Sequence, residues 1–149
     1  MKLIQDIEPL VHDSGIRVPY NWWAGETASR FFGGLRDEKK IRGRRCLSCQ
    51  KVFIPPRKTC PECFSPDMAW VDVSDEGTVQ AFTVVRRQLA ALKKPAPVIF
   101  GLIRLDGADT SMLHYLQDAR PEEVTIGMRV RACYADQRTG HMLDILHFS

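Results

Sequence analysis

Cys46-Leu47-Ser48-Cys49 and, after ten intervening residues, Cys60-Pro61-Glu62-Cys63 are the stretch around which the chain is organised. Two CxxC pairs set four thiolates on two tight turns, and four sulfurs converging on one point close the tetrahedral sphere of a structural Zn²⁺. The ten-residue separation is shorter than the commonest spacing of paired CxxC sites, yet long enough for a hairpin that returns the second pair to the first. With all four ligands cysteine, no position remains for a catalytic water, and the metal is expected to be structural. Two disulfides or four ordinary buried cysteines are the alternatives. A CxxC disulfide closes a strained small ring, however, and nothing else in the chain looks secreted.

Working outward, four thiolates on Zn²⁺ leave a formal charge of about −2, which calls for nearby donors or cations. Arg42, Arg44, Arg45, Lys51, Arg57 and Lys58 lie within a few residues of a ligand. Two roles stay open for them: neutralising the site on a solvated face, or holding an anion such as a phosphate. Ile41–Arg45 reads as the strand delivering Cys46. Val52-Phe53-Ile54 reads as the returning strand, stopped by Pro55-Pro56, and Met68–Val73 as the last ribbon strand.

The 149 residues suffice for one ordinary domain or two small ones, with a core that needs no disulfides. A net charge of +3 and a pI near 8.7 do not by themselves argue for a nucleic-acid or membrane surface. There is no long apolar run, signal-peptide core or basic amphipathic leader, so the chain is expected to be cytoplasmic, without membrane contact. Cys133, the fifth cysteine, reads as a small buried hydrophobe.

Residues 1–20 read as an extension carrying Pro9, Gly15 and Pro19. Residues 21–40 read as an amphipathic helix with Asn21 as its N-cap and a break near Gly33-Gly34. A ribbon over 41–75 follows, ended by the turn Ser74-Asp75-Glu76-Gly77. Residues 76–149 then carry five strands: Thr78–Arg87, Val98–Leu105, Ser111–Leu116, Met128–Asp136 and Leu143–Phe148. The nearly continuous apolar run Val98–Ile103 predicts a strand buried on both faces. Five strands with a turn of helix near Pro121–Val124 give the layout of an OB-fold barrel. The expected fold is mainly β with one N-terminal helix.

These segments together carry a family pattern. Arg30-Phe31-Phe32-Gly33-Gly34-Leu35-Arg36, Arg45-Cys46-x-x-Cys49, Val52-Phe53-Ile54-Pro55-Pro56-Arg57, Cys60-Pro61-x-Cys63, Gly77-Thr78-Val79, Phe82-Thr83-Val84-Val85 and Ile126-Gly127-Met128-Arg129-Val130 resemble the small proteins that join a rubredoxin-like zinc ribbon to a C-terminal OB fold. The resemblance covers residues 20–148, in order. One departure stands out: such knuckles often place glycine after each second cysteine, where this chain has Gln50 and Phe64, so those turns must tolerate a side chain.

The resemblance implies an accessory subunit of a thiolase-fold enzyme that makes or cleaves a carbon–carbon bond of a CoA thioester. The chemistry would reside in the partner, the acyl-CoA would be shared with it, and the assembly would be a hetero-oligomer. The aromatic-rich N-terminal part leans toward the small subunit of a benzoylsuccinyl-CoA thiolase. No catalytic residue is assigned, because His12, His114, His141 and His147 are scattered and no serine or cysteine sits in an activating motif. Within this reading Lys93 and Lys94, with Arg86 and Arg87, would hold the CoA phosphates. Trp22, Trp23, Phe31 and Phe32 would face the partner, or else cover the ribbon and core. A single-stranded nucleic-acid-binding OB module is the alternative, with Phe100 and Tyr115 as its aromatics. A free-standing acyl-CoA carrier or hydrolase lacks a visible nucleophile or base.

Overall fold

The computed structural model describes residues 10–13, 15–16, 18–88, 90, 92 and 94–149. Helix α1 spans Glu26–Glu38 and buries Phe31, Gly34 and Leu35, the three- and four-residue steps of one helical face. Its N-cap is Gly25, four residues later than the expected Asn21, and it runs through Gly33-Gly34 without a break. The late start follows from Gly25, whose φ of 84° turns the backbone out of the helical path. Gly34 is retained for closeness: a Cβ there would lie 3.3 Å from the Lys40 carbonyl oxygen and 3.4 Å from Cδ of Arg42, where the chain turns into the next strand. Arg138, far along the sequence, donates from Nε to the Arg36 carbonyl at 2.7 Å and so satisfies part of the helix C-terminus.

Strand β1 (Ile41–Cys46) is the centre of a three-stranded antiparallel sheet, flanked by β2 (Val52–Phe53) and β3 (Met68–Val73). The turn expected to end the ribbon is shorter than Ser74–Gly77, because Glu76 and Gly77 already pair with Arg131 and Val130. Five strands follow: β4 (Glu76–Val85), β5 (Val98–Leu105), β6 (Met112–Leu116), β7 (Arg129–Tyr134) and β8 (Ile145–Phe148). They close a barrel in the order β4-β5-β6-β8-β7. A bulge between Val79 and Ala81 lets the long β4 bend around it.

Strand β5 is not buried on both faces. Ile99, Gly101, Ile103 and Leu105 face the core, whereas Leu102 is 38% exposed and Arg104 lies in solvent. A closed barrel has one interior, so alternate positions must face outward however apolar the run is. The expected strand from Leu143 begins instead at Ile145, after one 3-10 turn at Met142–Asp144. There the buried Asp144 carboxylate accepts from the backbone N–H groups of Thr139, Gly140 and His141 at 2.9, 2.8 and 3.1 Å. Cys133 is half-buried, with Sγ 3.4 Å from Oγ of Ser149.

One apolar core joins the two halves: Phe31, Leu35, Ile41 and Ile54 pack into the same cluster as Val79, Ile103, Leu105, Ile145 and Phe148. The outer edge of β2 is stitched to the β5–β6 hairpin. Val52 N–H donates to Oδ2 of Asp109 at 2.7 Å, and Asp109 N–H returns to the Val52 carbonyl at 2.9 Å. Ile54 exchanges the same pair of bonds with the Thr110 hydroxyl, at 2.8 and 2.9 Å.

Candidate metal centre and barrel-end cleft

Each CxxC pair forms a knuckle closed by a backbone bond, Gln50 N–H to the Cys46 carbonyl at 2.9 Å and Phe64 N–H to the Cys60 carbonyl at 3.1 Å. Closure demands left-handed backbone at the residue after the second cysteine, and Gln50 (φ 63°) and Phe64 (φ 58°) both adopt it. Gln50 offsets the strain in part by donating its side-chain amide to the Leu47 carbonyl at 2.8 Å. Phe64 has no such return, and its ring is 78% exposed. Leu47 N–H to the Asp67 carbonyl and the Ser48–Ser65 hydroxyl contact of 3.1 Å hold the knuckles side by side.

The four Sγ atoms lie within 4.8 Å of one another, with Cys46–Cys63 at 3.5 Å and Cys49–Cys60 at 3.6 Å. Zn–S bonds of about 2.3 Å in a tetrahedron put sulfurs about 3.8 Å apart, so the donor set fits Zn²⁺. The local electrostatics point the same way. Cys46 is held down at about 6, chiefly by the backbone N–H of Cys49. Cys49, although it accepts from Lys51 N–H, is pushed up to about 12 by burial and the surrounding sulfurs. Four thiolates this close require a cation between them. Cys46, Cys49, Cys60 and Cys63 are thus placed to hold a structural Zn²⁺ with no open coordination position.

The basic residues around the ligands divide. Arg42 pairs with Glu38 at 2.6 Å and Asp72 at 3.4 Å, Lys51 pairs with Glu62, and Arg44 donates to the Met68 carbonyl while lying over Trp70. Arg45, Arg57 and Lys58 are exposed.

A second concave feature, about 580 Å³, opens at one end of the barrel between the β4–β5 loop and the chain after β6. Its walls include Pro95, Pro97, Val98 and Leu116, and its polar residues are Lys94, Tyr115, Gln117, Asp118 and Arg120. Nζ of Lys94 sits 4.6 Å from the Tyr115 ring centroid, and burial lowers its pKa. Phe100 lies against the same tyrosine at 4.9 Å. Asp118 reaches Nε2 of His147 at 3.3 Å, and Arg120 engages Glu123. This is a flat apolar floor under one cation, suited to a ring or chain with an anionic end.

Among the four expected CoA-phosphate ligands, only Lys94 is part of this lining. Arg86 and Arg87 are exposed and do not line it, and Lys93 lies outside the described residues. The sequence offers Tyr115 only as an aromatic of the nucleic-acid alternative, and nothing in the local pattern marks Asp118 or Arg120, because the loops that bring them to Lys94 are distant in sequence. His114 is a satisfied core histidine: Nδ1 accepts Tyr115 N–H at 2.9 Å, Nε2 faces the Met142 carbonyl at 3.3 Å, and burial lowers its pKa. The aromatic quartet also divides. Phe31 is 2% exposed and cannot face a partner, since its ring fills the core with Phe32 edge-on at 5.3 Å. Trp22 and Trp23 lie ahead of α1 and are 74% and 80% exposed.

Residues 35–69 match the ChsH2 rubredoxin-like zinc ribbon domain, and residues 70–135 the ChsH2 C-terminal OB-fold domain. A DUF35 domain-containing scaffold protein of Methanocaldococcus jannaschii is 31% identical over 101 residues, which span 67% of this chain and 71% of the relative. The chain belongs to the DUF35 scaffold family. Its counterpart in Pyrococcus furiosus is 29% identical over 102 residues, 68% of this chain and 74% of that protein. A solved DUF35 protein of unknown function from Sulfolobus solfataricus superposes with a TM-score of 0.59 at 28% identity, covering 72% of this chain and 78% of that one. The Ltp2-ChsH2(DUF35) aldolase shares the fold, with a TM-score of 0.62 at 22% identity over 80% of this chain and 92% of its own. In this DUF35 chain, no helix of the described residues is long and apolar enough to cross a membrane.

Proposed function

We propose that this DUF35 chain is a non-catalytic accessory subunit that binds a thiolase-fold protein and lines part of the path of a CoA thioester to that partner's active site. The carbon–carbon bond chemistry then belongs to the partner, and the ribbon's metal serves to hold its two knuckles in place. The observation that carries the reading is the barrel-end cleft on a scaffold-family chain. An adenosine needs a flat apolar shelf and its phosphates need cations: Pro95, Pro97, Val98 and Leu116 offer the first, and Lys94, held over Tyr115, with Arg120 at the rim, offers the second. Arg86 and Arg87, exposed at the end of β4, would meet phosphates only outside the cleft. Benzoylsuccinyl-CoA is the thioester that the sequence resemblance favours.

Gentle purification of the tagged chain from its native cells, with mass spectrometry of what accompanies it, tests the partner. A thiolase-fold protein in near-stoichiometric amount is expected, and its absence overturns the reading. Titration of the purified chain with CoA tests the cleft. Losing one charge-assisted contact is worth about 1.5–3 kcal/mol, so Lys94→Ala should weaken binding roughly 10- to 100-fold, and unchanged binding removes Lys94 from the site. A nucleic-acid module is the weaker reading: Phe100 and Tyr115 lie against each other, and Lys94 covers the tyrosine.

A further inference from the structure

A crevice of about 590 Å³ lies where the ribbon meets the barrel, and it shares no lining residue with the cleft at the barrel's end. Three segments distant in sequence wall it: the end of β2 with Pro55, the loop from Arg57 to Glu62 that runs into the second knuckle, and Thr110 with Ser111 ahead of β6. The chain itself holds these walls in place. Ile54 and the Thr110 hydroxyl exchange bonds of 2.8 and 2.9 Å, which fix the first segment to the third. The middle segment is held by the Cys60 N–H, which donates to the Ser65 carbonyl at 3.0 Å, and by the ion pair of Glu62 with Lys51.

The polar groups of the crevice sort by what they already bind. Thr110 uses its hydroxyl on Ile54 as both donor and acceptor, and Glu62 is taken by Lys51. Among the described residues, Arg57 has no carboxylate partner, and the hydroxyls of Thr59 and Ser111 make no hydrogen bond. What remains is a set of donors. A guanidinium offers a fork of two parallel N–H bonds to one carboxylate, and each hydroxyl adds one O–H, so the donors match the lone-pair directions of a single carboxylate. Charge narrows the ligand further. Glu62 and Lys51 cancel, which leaves Arg57 as the one uncompensated charge of the lining. A monoanion neutralises it, whereas a phosphate dianion would set a surplus negative charge beside Glu62. The floor is apolar, made by Phe53, Ile54, Pro55 and Pro61, so the body of the ligand is a ring or a hydrocarbon chain.

From this arrangement we infer that the ribbon–barrel crevice is a second ligand site, for a monocarboxylate with an apolar body. Arg57 holds the carboxylate, Thr59 and Ser111 complete its hydrogen bonds, and the prolines flank the body. The inference does not rest on the accessory-subunit reading, since no residue of the barrel-end cleft takes part.

The test uses three probes that share one ring system and differ in charge: naphthalene-2-carboxylate, naphthalen-2-ylmethanol and 2-naphthyl phosphate. Each is titrated by calorimetry into the full-length, zinc-loaded chain at about pH 8, where the phosphate ester is a dianion. Amide shifts in NMR locate the bound probe. Wild type is compared with Arg57→Gln, Thr59→Val and Lys94→Ala, with zinc content and thermal midpoint checked on each. The carboxylate should bind and shift the amides of Thr59 and Ser111. Its affinity should fall about tenfold or more with Arg57→Gln, by a smaller factor with Thr59→Val, and stay unchanged with Lys94→Ala. The alcohol and the phosphate should each bind about tenfold more weakly or worse. A carboxylate that does not bind, or that binds Arg57→Gln as tightly as wild type, would overturn the site. Loss with Lys94→Ala and retention with Arg57→Gln would move the probe to the barrel-end cleft and overturn it equally. An alcohol that binds as tightly as the carboxylate would overturn the role of Arg57, and a phosphate that does so would overturn the choice of a monoanion.

Discussion

Removing the metal should melt the two knuckles and leave the barrel folded. The ribbon's own core is small: its buried residues are Cys46, Phe53, Cys60 and Met68, and two of these are ligands. Burial of Phe53 and Met68 supplies about 1.5–3 kcal/mol each, whereas a structural Zn²⁺ in a small domain supplies about 10–16 kcal/mol. The metal therefore outweighs everything else that holds residues 46–51 and 60–67 in place. The barrel does not share this dependence, because Val79, Ile103, Leu105, Ile145 and Phe148 form a cluster without the cysteines, and Asp109 and Thr110 keep β2 pinned to it. Hydrogen exchange with and without a strong chelator, with zinc assayed in parallel, separates the two regions. The amides of Leu47, Gln50 and Phe64, which close the knuckles, should lose protection entirely, while those of Val79 and Ile103 change little. Unchanged knuckle protection would refute the dependence on metal, and equal loss in the barrel would refute the separation of the two cores.

Three further perturbations probe the fold around these sites. Burial opposes it, yet the N–H groups of Thr139, Gly140 and His141 hold the Asp144 carboxyl below its usual range. Its contribution is therefore full above the unfolded value of about 4 and is lost as pH falls through the lower folded value. Asp144→Asn should cost about 1.5–3 kcal/mol at pH 7 in urea unfolding, with the difference between the two proteins shrinking as pH falls below about 4. Gly101→Ala places a Cβ 2.7 Å from Cδ1 of Leu116 on the neighbouring strand β6. Overpacking of that kind costs about 1–3 kcal/mol, read as a lower thermal midpoint. Phe31→Ala should cost about 3–5 kcal/mol, while Trp23→Ala should stay within about 0.5 kcal/mol. Comparable losses from both would contradict the division between core and surface among the N-terminal aromatics.

The ribbon was readable in the sequence because its determinants are local. A CxxC knuckle is built within about five residues, and β1, β2 and β3 fall where the chain alternates before and after the cysteines. Even the departures at Gln50 and Phe64 announced a strained turn, and the left-handed backbone is there. The barrel strands were readable for a related reason, since alternation with one buried face is a short-range pattern. The helix boundary was not, because Asn21 is a good cap in isolation and only the turn at Gly25 shows where the helical path begins.

By itself, then, the sequence determined the metal site and the order of the elements, properties of neighbours a few residues apart, but not that β5 turns one face to solvent. Tertiary structure alone decided which aromatics are core, which cations meet an aromatic floor, and where the halves join. Those outcomes depend on pairs such as Val52 with Asp109, Arg36 with Arg138 and Lys94 with Tyr115. Such pairs come together only when the barrel closes, and closure is a property of the whole register that no local window contains.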